Sequence, residues 1–295
     1  MDIRGWGREV IRGRWGYFFI APTYIFFLLF SLIPFLQGLW LSFFDAGLNH
    51  QIWVGLENFK RLWSDEAFRY ATVNTIWFVV LVVPASSILA LTIALLARPL
   101  SPRWNAFFRA AFYLPAVSSS VVLAIVWSWI FDPTFGLLNY LLSLVGLGPV
   151  AWLSDPTWAL PALALVVVSW VVGTAVILYS AGLDGIPGEL LEAAAIDGTS
   201  PWQRLRYVTL PLLKPTTLYV LVTQTIGAFQ TFIVVQLLTR GGPAYRTYTL
   251  VYDIYVTAFQ FFDFGYAAAQ GVILLLLAGA VAILQIRFMR GDITY

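Results

Sequence analysis

The side chains of this chain that could do chemistry lie in two places, and neither has the make-up of a catalytic centre. The first is the polar segment AGLDGIPGELLEAAAIDGTSPWQRLRYVTLPLLKP, from Ala181 to Pro215. Pro187 suits a helix's first turn, where its missing N–H costs nothing, and Glu189 and Glu192 lie where the helix dipole favours negative charge. Gly198 can take the left-handed conformation that ends a helix, and Thr199-Ser200-Pro201 can cap and start another. The spacing predicts helix, glycine turn, helix, of about three turns and then two. Ala193, Ala194 and Ala195 let another surface approach the backbone, and Glu192 offers an acceptor to a basic partner. Such a knob could pass a push from another protein; it could equally be a plain connection.

The second place is an apolar run, TTLYVLVTQTIGAFQTFIVVQLL, from Thr216 to Leu238. Thr223, Gly227 and Gln230 share one helical face there, with Gln224 and Thr231 beside it. In a lipid-soluble helix such a stripe faces protein or a water-filled cavity, because hydrocarbon offers amides no partner. It would either hydrogen-bond a solute or glue one helix to the next, with Gly227 allowing close approach. Other chemistry is excluded by the counts. There is no cysteine for a disulfide, an iron–sulfur cluster or a thiolate zinc site, and His50 is the sole histidine.

The elements that must position these residues are membrane spans. Of the 295 residues 60% are hydrophobic and 11% charged, against about 25% charged in soluble domains. A soluble enzyme, a nucleic-acid reader and a disordered scaffold are all excluded by that balance. The chain is expected to be an all-α integral membrane protein with six transmembrane helices, at about 17–41, 70–97, 110–131, 159–181, 215–238 and 264–286. Residues 1–16 and 287–295 are then short terminal segments, and 182–214 is the long loop. The first run is too long and too bulky for a cleaved signal peptide. Twelve of the 17 Lys and Arg residues fall on one side of these spans and five on the other, which predicts that both termini are cytoplasmic. No charged residue falls inside a predicted span, which lowers the prospect of an ion-coupled carrier. The third connection reads as an irregular external loop with a short amphipathic piece, Leu137–Leu144.

The order Glu192-Ala193-Ala194, Gly198, Val208, Leu210-Pro211 resembles the EAA motif of binding-protein-dependent ABC importer permeases. That family usually has isoleucine where Val208 stands. The likeness extends to Trp53-Val54-Gly55-Leu56-Glu57-Asn58-Phe59, Asn74-Thr75, Phe108-Arg109, Leu114-Pro115 and Phe131-Asp132-Pro133. It continues through Gln236–Pro243, Ile254-Tyr255 and Gly265–Ala269, and is similar to sugar-importer permeases of the maltose, lactose and glycerol-phosphate type. The resemblance implies a type I, maltose-importer-like permease fold. It makes the loop the coupling helix, with Glu192, Ala193, Ala194 and Gly198 touching a cytoplasmic ATPase. It also places solute contacts at Trp170, Val171 and Thr174 on the fourth span and at Gln224, Gly227, Ala228 and Thr231 on the fifth, with Gln230 joining from the polar stripe. Val171 and Ala228 differ in type from the maltose-type residues, so a maltose-like pocket is not implied.

By the same resemblance the chain is the first of two unlike permeases in a heterodimer, served by an ATPase dimer and an extracytoplasmic solute-binding protein in a prokaryotic inner membrane. The expected cargo is a sugar or oligosaccharide, with glycerol phosphate as the alternative. ATP and Mg would belong to the ATPase, since this chain has no phosphate-binding glycine loop followed by lysine, and no cofactor or metal is expected in the chain itself. No nucleic-acid partner is expected. A stand-alone secondary transporter would show intramembrane ionisable groups or a broken-helix inverted repeat, and a membrane enzyme would show clustered acids, serines or histidines. Neither mark of the transporter is found, and one histidine with charge-free spans argues against the enzyme.

Overall fold

A computed structural model describes residues 14–289. Most of the expected segment 1–16 and of the tail 287–295 lies outside these residues, as do Arg4, Arg8, Arg12 and Arg290. The chain is almost entirely helical. The first long helix is α1 (Arg14–Phe27), one π-helical turn (Leu28–Leu32) and α2 (Ile33–Leu41), and its stretch Phe18–Leu41 is long and apolar enough to cross a membrane. A hairpin of β1 (Phe44–Ala46) and β2 (Gln51–Trp53) comes next, pairing Phe44 with Trp53. It is pinned by Asn58, whose Nδ2 donates to the carbonyls of Ser42 and Phe44 at 3.0 and 2.8 Å.

After α3 (Glu57–Ser64) comes the long α4 (Glu66–Ala97). It starts four residues before the apolar run because the Asp65 carboxylate accepts from the N–H groups of Ala67 and Phe68. The fourth span is α8 (Ala159–Asp184), preceded by the short α7 (Leu137–Leu144), and the last is α15 (Phe264–Met289). Helices α4 and α8 form the heart of the bundle. Ala90 and Ala94 of α4 are buried against Val172, Ala175 and Val176 of α8, small side chains that bring the two backbones close. A second layer joins Phe78 and Val82 to Leu163, Val166 and Val167.

Two expected spans are broken. The run 110–131 is two helices, α5 (Pro102–Val117) and α6 (Ser120–Ile130), bent by 100°. The cause is local: Ser118 and Ser119 are extended, and the Ser119 hydroxyl accepts from the Val121 N–H to restart the chain as a helix. The run 215–238 divides into α12 (Lys214–Phe229) and α13 (Ile233–Leu238). Gln230 N–H folds back to the carbonyls of Ile226 and Gly227, and the Thr231 carbonyl accepts from the Thr249 hydroxyl instead of from a helical N–H. Broken helices, which hydropathy does not announce, are therefore part of the fold.

Helix α14 (Leu250–Phe259) lies in the fifth connection, packed against α4 and α15. Asn74 Nδ2 donates to the carbonyls of Tyr245 and Tyr248, and the Leu250 N–H donates to the Thr75 hydroxyl. This helix, which lies outside every predicted span, buries Asp253. Arg109, expected in a loop, is inside α5 and pairs with Asp184 at 2.9 Å.

Candidate functional site

A cavity of about 600 Å³ lies between α8 and α12, with the two helix breaks at its edge. Trp170, Thr174, Gln224, Gly227, Gln230 and Thr231 all line it, together with Val171, Thr223 and Ala228. Ala116 and Ser120 enter from the 100° corner, and Phe232 from the break in the fifth run. No charged side chain is among its lining residues.

Each wall is set by a small residue. On α8, Gly173 faces away from the cavity onto α5: a Cβ there would sit 2.2 Å from the Phe112 carbonyl oxygen and 2.7 Å from Tyr113 Cα. That contact turns Trp170 and Thr174 into the cavity. On α12, no described atom outside its own stretch of helix lies within 4 Å of where a Gly227 Cβ would be. Within this chain it therefore packs no helix closely, and its bare face widens the cavity.

The polar groups are partly committed. The Thr223 and Thr231 hydroxyls donate to the carbonyls of Tyr219 and Gly227, leaving their oxygens as acceptors. The Gln224 side-chain oxygen takes hydroxyls from Ser86 and Ser87 of α4, contacts that helical spacing alone does not reveal. Gln230 is exposed and makes no side-chain hydrogen bond among the described residues. The wall thus offers amide and hydroxyl groups beside an indole ring, the equipment for a hydroxyl-rich solute.

The loop is the other feature. Helix α9 (Gly188–Ile196) stops at Gly198, whose φ of +78° lies in the left-handed region that favours glycine. Ser200 then caps α10 (Pro201–Arg204) through a reciprocal pair with Gln203 at 3.3 and 2.8 Å. This second arm continues through a π-helical turn (Leu205–Thr209) into α11 (Leu210–Leu212), longer than the two turns expected. Glu192, Ala193 and Gly198 are exposed and Ala194 is half-buried. Beside them stand Ile196, 87% exposed, and Trp202, 66% exposed. Apolar residues flanking a glycine turn outside every span were the available signal for these two. The knob is rooted rigidly, because Leu183, Ile186 and Leu213 at its base are buried in the same cluster as Ala90 and Ala94.

Residues 83–291 match the family described as the binding-protein-dependent transport system inner membrane component. The chain belongs to that family. The matched stretch contains the knob and all of the cavity lining except Val82. The chain is 37% identical over 275 residues to a probable ABC transporter permease protein of Bacillus subtilis, covering 91% of this chain and 88% of that one. It is 36% identical to the lactose transport system permease protein of Rhizobium radiobacter, covering 92% of each. Among solved structures it superimposes on a bacterial ABC transporter involved in the import of the acidic polysaccharide alginate. There the TM-score is 0.86 at 27% identity, with 99% of this chain and 100% of that chain covered. A bacterial alginate ABC transporter has also been solved in complex with a periplasmic protein carrying an alginate pentasaccharide. The permease is thus a multi-pass membrane component of an ABC transporter and not an enzyme.

Proposed function

We propose that this permease forms, with a second and unlike permease, the pathway through which an ATP-driven importer takes in a carbohydrate delivered by an extracytoplasmic binding protein. The observation that carries the reading is the convergence of Trp170, Thr174, Gln224, Gly227, Gln230 and Thr231 on one uncharged cavity. Amides and hydroxyls bond sugar hydroxyls, and an indole face packs on sugar C–H groups. The relatives named for lactose and alginate support the same class of cargo. No lining residue carries a charge to offset a phosphate, which favours a sugar over glycerol phosphate on this side of the pathway.

The work enters through the knob. Glu192, Ala193, Ala194 and Gly198 present a small, exposed surface for a cytoplasmic ATPase dimer, which would hold the ATP and Mg. Closure of the ATPase would push the knob, and the push would reach the cavity because the knob's root and α8 share one packed cluster. The bundle would cross a prokaryotic inner membrane six times, counting each broken pair as one crossing, with both termini in the cytoplasm.

The test is gentle purification from native membranes and then mass spectrometry of the proteins that accompany the chain. Recovery of an ATPase, a second permease and a solute-binding protein is expected, and that binding protein is then screened against neutral oligosaccharides. Recovery of the chain alone, or only with copies of itself, would remove the proposed power source.

A further inference from the structure

Asp253 is the one charged side chain among the described residues that the fold buries, at 3% exposure. Its carboxyl group accepts a hydrogen bond from Gln270 Nε2 of α15 at 3.0 Å. Gln270 is fully buried, yet its Oε1 has no hydrogen-bond partner. An ionised carboxylate only accepts, so it cannot satisfy that oxygen; a carboxylic acid has one O–H to donate. Among the described residues no cation forms an ion pair with Asp253. Arg61 is stacked 3.9 Å over the Tyr266 ring and paired with Asp263 at 2.7 Å. The other groups that face Asp253 are Tyr248 from the preceding loop, Tyr266 from α15 and Asp65 from the start of α4. On α14 itself Tyr252 and Tyr255 are neighbours, and Arg240 acts on Tyr252. Asp65 is ill suited to compensate, being negative itself and bonded by the Tyr266 hydroxyl at 2.7 Å.

We propose that Asp253 is a proton-binding site: the protein carries it as the neutral acid, whose O–H bonds Gln270 Oε1 while its carbonyl oxygen accepts from Gln270 Nε2. The proton comes from water as α14 docks on α15, and it returns to water when the pair opens. Burial, reinforced by the Asp65 charge and opposed by the Tyr248 hydrogen bond, pushes the Asp253 carboxyl up to about 7. The site bears on the cavity through the adjacent residue. Tyr252 packs on Phe232, ring centres 6.3 Å apart, and Phe232 lines the cavity at the break in the fifth run. A proton on Asp253 therefore holds α14 against that end of the pathway.

The sign comes from linkage. The folded state holds this proton more tightly than an unfolded chain, where the carboxyl titrates near 3.8, so stability is full below that value and is lost as pH rises through about 7. The experiment uses the full chain carrying His50→Gln, which removes the sole histidine and its titration. Its thermal midpoint should fall as pH rises from about 3.8 toward about 7 and level off above that. An infrared carboxylic-acid band should be present on the acid side of that range and fade across it. Asp253→Asn, which can make both bonds to Gln270 without a proton, should abolish the band and flatten the midpoint profile. A midpoint that rises with pH, or no acid band on the acid side, overturns the proposal. So does a pH dependence that survives in Asp253→Asn. If that variant fails to fold, the band and profile of the His50→Gln protein alone decide.

Discussion

Adding one methyl group at three glycines should give three different results, although the chemical change is the same. At Gly173 the new Cβ would lie 2.2 Å from the Phe112 carbonyl oxygen, 2.8 Å from its carbon and 2.7 Å from Tyr113 Cα. Ordinary contacts to such atoms are longer than 3.4 Å, so α8 and α5 must separate by on the order of an ångström. The obstructing atoms are helix backbone, which cannot rotate aside as a side chain could. Overpacking of this kind costs about 1–3 kcal/mol, and rigid neighbours put this site at the upper end. Replacing glycine by alanine inside a helix returns about 1 kcal/mol of intrinsic propensity. The net expectation for Gly173→Ala is a loss of about 2 kcal/mol. No described atom outside its own stretch of α15 lies within 4 Å of the Gly271 Cβ position, so Gly271→Ala keeps the propensity gain alone and should be stabilising by about 0.5–1 kcal/mol. Gly227→Ala, equally uncrowded, should also leave stability intact but should lower solute uptake, since its methyl group points into the cavity. The assay is the thermal midpoint of the full chain in detergent, with uptake measured in liposomes containing the assembled transporter. A Gly173→Ala midpoint equal to that of the unsubstituted protein would refute the packing account. Unchanged uptake with Gly227→Ala would remove that residue from the pathway.

Further outcomes separate the two functional features. Gly198→Asn should retain most coupling if the turn needs only a left-handed residue, because asparagine adopts φ near +78° at little cost. Gly198→Asp should uncouple ATP hydrolysis from uptake while the chain still inserts, since no described atom outside its own turn lies within 4 Å of the added Cβ and the strain of the left-handed φ stays in an exposed turn. Normal uptake by the aspartate variant would sink the coupling role. Asn74→Leu leaves the Tyr245 and Tyr248 carbonyls without their donor and should cost about 1–3 kcal/mol, read as a lowered thermal midpoint. Gln230→Ala should raise the solute concentration needed for half-maximal uptake and leave stability unchanged, because its amide makes no side-chain bond within the described chain; an unaltered uptake curve would show that it does not meet the solute.

The features legible in the sequence were those that local chemistry decides. The loop could be read because its signals act within a few residues: Pro187 at the helix start, Gly198 as the left-handed stop and Thr199-Ser200-Pro201 as the next cap; the structure sets Pro187 just outside the first turn and adds Gln203 as the partner of Ser200. The polar stripe could be read because helical spacing alone puts Thr223, Gly227 and Gln230 on one face. The two helix breaks could not, because hydropathy averaged over about 20 residues is blind to an interruption of two or three. At the first break a local signal existed, Ser118-Ser119 after Leu114-Pro115, with Ser119 able to cap the next helix. At the second none did. The backbone freed at Thr231 is satisfied by Thr249, 18 residues further on, a contact that only the folded chain creates. Asp253 was hidden for a related reason. It sits in a ten-residue helix too short to register as a span, and its burial depends on Gln270 from another element.

These misses share a place as well as a cause. In an apolar bundle an interrupted helix is tolerated only where other groups or a water-filled space satisfy the freed backbone. Residues at both breaks, Ser120 after the first and Gln230 to Phe232 across the second, line the same cavity. Through Phe232 and Tyr252 the buried Asp253 reaches the same wall. The positions where hydropathy fails to describe this chain are thus clustered around its cavity, as expected if local structural rules are broken where function demands it. That clustering does not depend on any relative's identity. It gives the cavity a claim to be the working centre of the permease that is independent of the motif in the loop.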